Sequence, residues 1–190
     1  MLSKFANMNI ILTSFKEVFI LKPILHLDER GSFMESFNAI EFEKATGLKI
    51  NFCQDNETRS KKGVLRGLHY QLPPFSQSKL VRVIQGKVLD IIVDVRKESP
   101  TFGQHYSCEL SAENQLQIFI PRGFAHGYIT LSESSIFSYK VDNYYNKESE
   151  ASIAYDDPKL GIDWMLEPST FLISKKDRLH PNLDQAQCLI

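Results

Sequence analysis

The sequence predicts an all-β fold of the sandwich or barrel type. Three observations predict it. Apolar residues come in many short runs, several rich in β-branched and aromatic residues. Turn residues separate those runs at short intervals. Only one helix is well marked. The 190 residues, 43% of them hydrophobic, are expected to form a single domain over 1–190. A chain of this length hides roughly 70% of its unfolded surface, so its core needs no disulfide support.

Each element has a local reason. Residues 1–7 are expected to be an N-terminal extension, with Met8 an alternative start. A first strand is expected over Glu17–Leu21. Asp28-Glu29-Arg30-Gly31 reads as a turn running into a strand at Phe33–Phe37. Asn38 is a good N-cap, Glu41 stands three residues on, and Gly47 sits where a C′ glycine belongs, so a helix is expected over Ala39–Thr46. Gln54-Asp55-Asn56 is read as the end of another strand, with Gln54 and Asn56 on one face and Asp55 on the other. Val64–Tyr70 is a strand candidate. Between Lys79 and Arg96, Val81 and Val83 mark one strand and Val88 to Val95 the next. Gln85-Gly86-Lys87 is expected to join them as a hairpin turn. His105–Leu110, Gln115–Ile120, Gly127–Leu131 and Ile136–Val141 complete the strand set. A weaker helical signal follows Asn143. Residues 156–190, with Pro158, Pro168 and Pro181, are expected to wrap the sheet as extended coil.

Charge and cysteine usage narrow the functional classes. Lys and Arg number 22, Asp and Glu 23, for a net charge of −1. No basic excess exists to grip a nucleic-acid duplex. Cys53, Cys108 and Cys188 are odd in number and widely spaced, which argues against a disulfide scaffold or a Cys-rich zinc site and for reduced thiols in the cytoplasm. The N-terminus lacks the apolar core of a signal peptide. No stretch approaches the ~20 apolar residues of a membrane span.

Some residues invite a chemical reading. In Arg66-Gly67-Leu68-His69-Tyr70, His69 should face away from Leu68 and Tyr70. A lone strand histidine is ordinarily a hydrogen-bonded core residue. The neighbouring Arg66 argues for an anion such as a phosphate. Pro121-Arg122-Gly123-Phe124-Ala125-His126 is similar to the second motif of cupin barrels. In metal cupins that histidine joins an HxH pair, but position 71 is Gln71. His69 and His126 are too few ligands, so no metal is expected. The Gln54/Asn56 pair suits a neutral polar ligand. Tyr139 and Tyr145 read alone as packed rings, and Lys175-Lys176-Asp177 as solvated surface.

Together and in order, the segments DERGSFMESFN, QDNETRS, LRGLHYQ, KLVRVIQGKVLDIIVDVRKESPTFG, PRGFAHGY, YKVDNYY, DDPKLGIDW and SKKD resemble the dTDP-4-dehydrorhamnose 3,5-epimerase family. The resemblance runs from about Phe19 to Asp177. It implies a cupin-type double-stranded β-helix (jelly roll) with a few short peripheral helices, no cofactor, and a homodimer. The implied substrate is the nucleotide sugar dTDP-4-dehydro-6-deoxy-D-glucose, on the route to dTDP-L-rhamnose and cell-surface polysaccharide. His69 matches the catalytic base, Asp177 its carboxylate partner, and Tyr139 the proton donor. Lys79 and Arg66 match substrate-contacting positions. Tyr145 matches the ring that stacks on thymine. Arg30, Glu35, Gln54, Asn56, His126, Glu150 and Lys175 match further ligand-binding positions.

The implied chemistry needs these residue types. In a 4-keto sugar the protons on carbons 3 and 5 are both α to the ketone. Inversion needs a base, an acid on the opposite face, and a donor or cation at the developing oxyanion. Imidazoles titrate near about 6.5 and phenols near about 10, which suits a base at His69 and an acid at Tyr139. Lys79 could supply charge at the ketone oxygen. Arg66 and Lys175 suit the diphosphate. Alternatives are a relative that inverts one carbon only, a non-catalytic nucleotide-sugar-binding cupin, and a metal-dependent cupin oxygenase, the last disfavoured by Gln71.

Overall fold

A computed structural model describes residues 8–189; the expected extension over 1–7 lies outside the described residues. The strands are β1 (Met8–Leu12), β2 (Phe19–Pro23), β3 (His26–Asp28), β4 (Gly31–Phe33), β5 (Gln54–Lys61), β6 (Val64–Gln71), β7 (Lys79–Gln85), β8 (Lys87–Asp94), β9 (His105–Ser111), β10 (Gln117–Ile120), β11 (Phe124–Thr130), β12 (Ser134–Val141), β13 (Glu150–Ser152) and β14 (Leu172–Ile173), with one helix, α1 (Ala39–Thr46). One sheet runs β1-β2-β10-β7-β12-β5 and the other β13-β6-β11-β8-β9, with β14 beside β6. The β3–β4 hairpin stands apart from both.

The helix forms where its caps place it. Asn38 Oδ1 accepts from the Ile40 and Glu41 amides at 3.0 and 3.3 Å, and Gly47 ends the helix at φ 73°. Phe42 buries against Leu21, Leu80 and Phe119 on the outer face of the first sheet. The C-terminal segment covers the outer face of the second sheet, where Leu160, Trp164, Phe171, Leu183 and Leu189 pack on Leu65, Leu89, Ile91 and Val93. Between the sheets, Val81, Val83, Ile118 and Phe137 meet Val88, Ile92, Leu110 and Phe124. Strand β8 is therefore buried on both faces, which explains its almost unbroken apolar run.

Three local expectations are corrected. Gln85-Gly86-Lys87 is not a hairpin turn: β7 pairs with β10 and β12, while β8 pairs with β9 and β11. The chain turns a corner at Gly86 from one sheet to the other. Gln54-Asp55-Asn56 begins a strand rather than ending one. The strand expected over Phe33–Phe37 is instead Gly31–Phe33, because the chain must leave the hairpin to reach the helix cap. Strands β1 and β3 were not legible, since one continues an edge and the other is a three-residue hairpin arm.

Candidate active site

The two sheets part at one end and leave a cavity of about 340 Å³. Alternation decides what lines it. On β7, Lys79 shares the inward face of Val81 and Val83. On β12, Tyr139 shares that of Phe137. On β11, His126 shares that of Phe124 and Tyr128. Arg66 and His69 are three apart on β6, so plain alternation would set them on opposite faces. The register of β6 against β11 shifts between the pairs His126–His69 and Tyr128–Arg66. This irregularity brings both side chains to the cavity. Two glycines permit it: a Cβ on Gly67 would come within 2.5 Å of Gly127 Cα, and one on Gly127 within 2.6 Å of the Arg66 carbonyl oxygen.

His69 is one-third exposed, and its Nε2 lies 2.9 Å from Asp177 Oδ1, which is buried. Burial alone would raise the Asp177 carboxyl. The hydrogen bond and charge of His69 outweigh it and hold that carboxyl below its usual range. Ser174 Oγ accepts from the Asp177 amide at 3.0 Å and anchors the turn that carries the carboxylate.

A second His–Asp pair lies deeper. His126 Nε2 is 2.9 Å from Asp90 Oδ2, and both residues are buried. Burial pushes the His126 imidazole down in pKa, against the opposing pull of the Asp90 carboxylate. Lys79 is also buried; desolvation brings its ammonium down to about 8, again opposed by Asp90. Its Nζ donates to the His69 carbonyl at 3.4 Å. Burial raises the Tyr139 phenol, helped by Tyr128 and opposed by Arg66.

At the rim, Tyr145 Oη donates to Glu150 Oε2 at 3.0 Å, and Lys176 Nζ is 2.6 Å from the same oxygen. The cavity thus gathers His69, Asp177, Tyr139, Lys79, Arg66, His126, Tyr145 and Glu150. It does not gather the other five positions. Arg30 is exposed and paired with Asp28 in the β3–β4 hairpin, and Glu35 Oε1 accepts from the Asn38 side chain. Gln54 and Asn56 bond to each other at 2.8 Å on β5, on the face that carries the cavity-lining Thr58 further along. Lys175 is exposed beside the cavity-lining Ser174.

Asp90, Thr58, Gln77 and Ser174 were missed as lining or supporting residues. Asp90 had a usable signal: a carboxylate inside a run of buried apolar residues requires a partner. Gln71 has a structural part besides its failure to supply a metal ligand. Its amide donates to the Phe75 carbonyl and its oxygen accepts from the Asn146 amide, tying the loop before β7 to the one that carries Tyr145.

Comparison with known proteins gives the family and the fold. Residues 12–185 match the family model described as dTDP-4-dehydrorhamnose 3,5-epimerase. A dTDP-4-dehydrorhamnose 3,5-epimerase of Shigella flexneri is 51% identical over 170 residues, covering 90% of this chain and 93% of that protein. The crystal structure of the Elizabethkingia anophelis enzyme of the same name superposes with a TM-score of 0.91 at 47% identity, covering 95% of this chain and 100% of that one. A Legionella pneumophila 3,5-epimerase in complex with dTDP-4-keto-L-rhamnose gives a TM-score of 0.90 at 49% identity, covering 94% of each chain. The cupin jelly roll read from the sequence is the fold of these relatives. The chain belongs to the dTDP-4-dehydrorhamnose 3,5-epimerase family.

Proposed function

We infer that this cavity inverts carbons 3 and 5 of dTDP-4-dehydro-6-deoxy-D-glucose, giving dTDP-4-dehydro-L-rhamnose. One observation carries the reading. His69 projects from β6 of one sheet and Tyr139 from β12 of the other, so a base and an acid flank one cavity from opposite walls. A sugar ring between them loses a proton on one face and regains one on the other, which is inversion.

His69 takes the proton. Asp177 fixes its tautomer and stabilises the imidazolium that forms. Lys79 places positive charge at the oxyanion of the enolate, in a buried site where charge acts strongly. Tyr139 returns the proton. Arg66 binds diphosphate through its planar fork, His126 with Asp90 forms the floor, and Tyr145 offers the base a flat surface at the rim. Arg30, Glu35, Gln54, Asn56 and Lys175 contact the ligand beyond the part of the site that one cavity gathers. No resident metal or cofactor is required. The described residues contain no helix long and apolar enough to cross a membrane, and we place the enzyme in the cytoplasm as one domain and a homodimer. The exposed Leu27 and Phe33 of the β3–β4 hairpin are surface that a second copy would cover.

The test is proton NMR of the nucleotide sugar with chelator-treated enzyme in heavy water. Deuterium enters carbons 3 and 5 with inversion at both, and His69→Ala abolishes both exchanges while its circular dichroism stays that of the wild type. Exchange at a single carbon moves the protein to another deoxysugar route. No exchange, with tight nucleotide binding, makes it a binding module. Retained exchange in His69→Ala removes His69 as the base.

A further inference from the structure

A third imidazole stands beside the base–carboxylate pair, and the epimerisation does not use it. His180 follows the 3₁₀ turn Asp177–Leu179, and its side chain is only 5% exposed. Its Nε2 is 3.5 Å from Asp177 Oδ1 without hydrogen-bond geometry, and among the described residues neither ring nitrogen has a hydrogen-bond partner. Burying an imidazole with both nitrogens unmatched is costly and calls for an explanation. The ring meets His69 edge-on, with centroids 5.2 Å apart and planes at 76°.

The three groups converge. One donor atom each from His69, Asp177 and His180 lies within 4.8 Å of the other two. Ligand atoms around a tetrahedral zinc, at a metal–nitrogen distance of about 2.0–2.1 Å, stand about 3.3 Å apart. The two sides that meet at Asp177 Oδ1, 2.9 and 3.5 Å, bracket that spacing, and side-chain rotation adjusts the third. Two imidazoles and one carboxylate are the donors that borderline first-row divalent ions take. His69 is 33% exposed toward the cavity, which supplies an entry path and leaves a coordination position for water.

We propose that His69, Asp177 and His180 form an inhibitory site for a divalent first-row transition ion such as Zn²⁺. The donor set differs from the metal-cupin pattern weighed in the sequence, which would have used His126 and position 71. While Asp177 accepts from the Nε2–H of His69, the basic lone pair of His69 is on Nδ1. A metal on Nε2 takes that nitrogen's lone pair, and the ring stays neutral by carrying its proton on Nδ1. The proton moves from Nε2 to Nδ1, none is lost, and the base has no lone pair left for the sugar. Asp177 changes from orienting group to ligand in the same step. Metal binding stands independently of the epimerase reading, and the inhibition rests on it.

The experiment uses the full chain, stripped with chelator and dialysed. Calorimetry with ZnCl₂ and the visible absorption of added Co²⁺ read binding; the heavy-water assay reads activity. One Zn²⁺ binds per chain, saturating Zn²⁺ lowers turnover by about tenfold or more, and EDTA restores it. His180→Ala keeps its metal-free turnover, binds Zn²⁺ at least about tenfold more weakly, and resists inhibition, in line with the usual effect of losing a ligand-shell group. His180→Gln, which fills the same space without strong ligation, behaves alike and guards against a folding defect. Absence of Zn²⁺ binding to the wild-type chain overturns the proposal, as do His180 variants that bind and are inhibited like the wild type. If the chain proves to lack epimerase activity, calorimetry on wild type, His69→Ala and His180→Ala still decides whether the site exists.

Discussion

Burial does most of the tuning at Lys79, His126 and Tyr139. Lys79 holds its charge only up to about pH 8, because desolvation disfavours the ammonium. In the proposed role the charged form is the active one, so kcat/KM should fall on the alkaline side as pH rises through about 8. Lys79→Gln should remove that limb and cost roughly 10²–10³-fold in kcat, the usual loss for an oxyanion donor; a pH–rate profile of both proteins checks it. Asp177→Asn keeps the shape but offers His69 the wrong hydrogen-bonding group. Turnover should drop about 10²–10⁴-fold with dTDP affinity little changed, as equilibrium binding would reveal. Tyr139→Phe should slow inversion more than exchange, because deprotonation by His69 survives the loss of the phenol. Equal loss of both rates would remove Tyr139 as the donor.

Two elements carry that tuning. The first is the irregular pairing of β6 with β11, which puts Arg66 and His69 on one side. Gly127→Ala would drive a methyl group into the Arg66 carbonyl. It should destabilise the fold by about 2–4 kcal/mol and reduce turnover, measured by denaturant melts alongside kinetics. The second is the end of β8. Asp94 is fully buried, and its carboxylate takes Arg96 Nε and Nη2 at 2.9 and 2.8 Å and the Ser99 and Thr101 hydroxyls at 2.6 Å each. Burial would raise its pKa, but these bonds outweigh it and lower the carboxyl overall. A depressed carboxylate contributes stability above its unfolded pKa of about 3.9 and loses it as pH falls through the lower folded value. Acid unfolding of the wild type should therefore steepen below about pH 4, and Asp94→Asn should flatten that limb while lowering stability at neutral pH.

For the molecule as a whole, the tail that carries Asp177 is also structural. Leu183 and Leu189 bury against the second sheet, and Tyr70 Oη donates to the Gln187 carbonyl at 2.6 Å. Truncation after Pro181 should cost about 3–6 kcal/mol, at roughly 1.5–3 kcal/mol per buried leucine, visible as a lower Tm. How legible all this was depended on the kind of signal. The apolar run of β8 and the caps of α1 are local, and both could be read from the chain. Gly86 could not, because a tight hairpin and a corner between sheets ask for the same residue. Strand β5 reads QDNETRSK, whose alternation is of polar residues only, so its extent was hidden. His69 and Asp177 are 108 positions apart and meet only through folding, so the motif resemblance linked them where spacing could not. The corner at Gly86 has one more consequence, and it concerns order in time. Because β7 and β8 cannot zip together locally, each waits for strands made later, β10 and β12 for one, β9 and β11 for the other. Such non-local pairing closes large loops before it gains contacts, and folding of this kind takes about milliseconds to seconds. On a ribosome, the sandwich can assemble only after β12 has emerged, and His69 acquires its carboxylate later still.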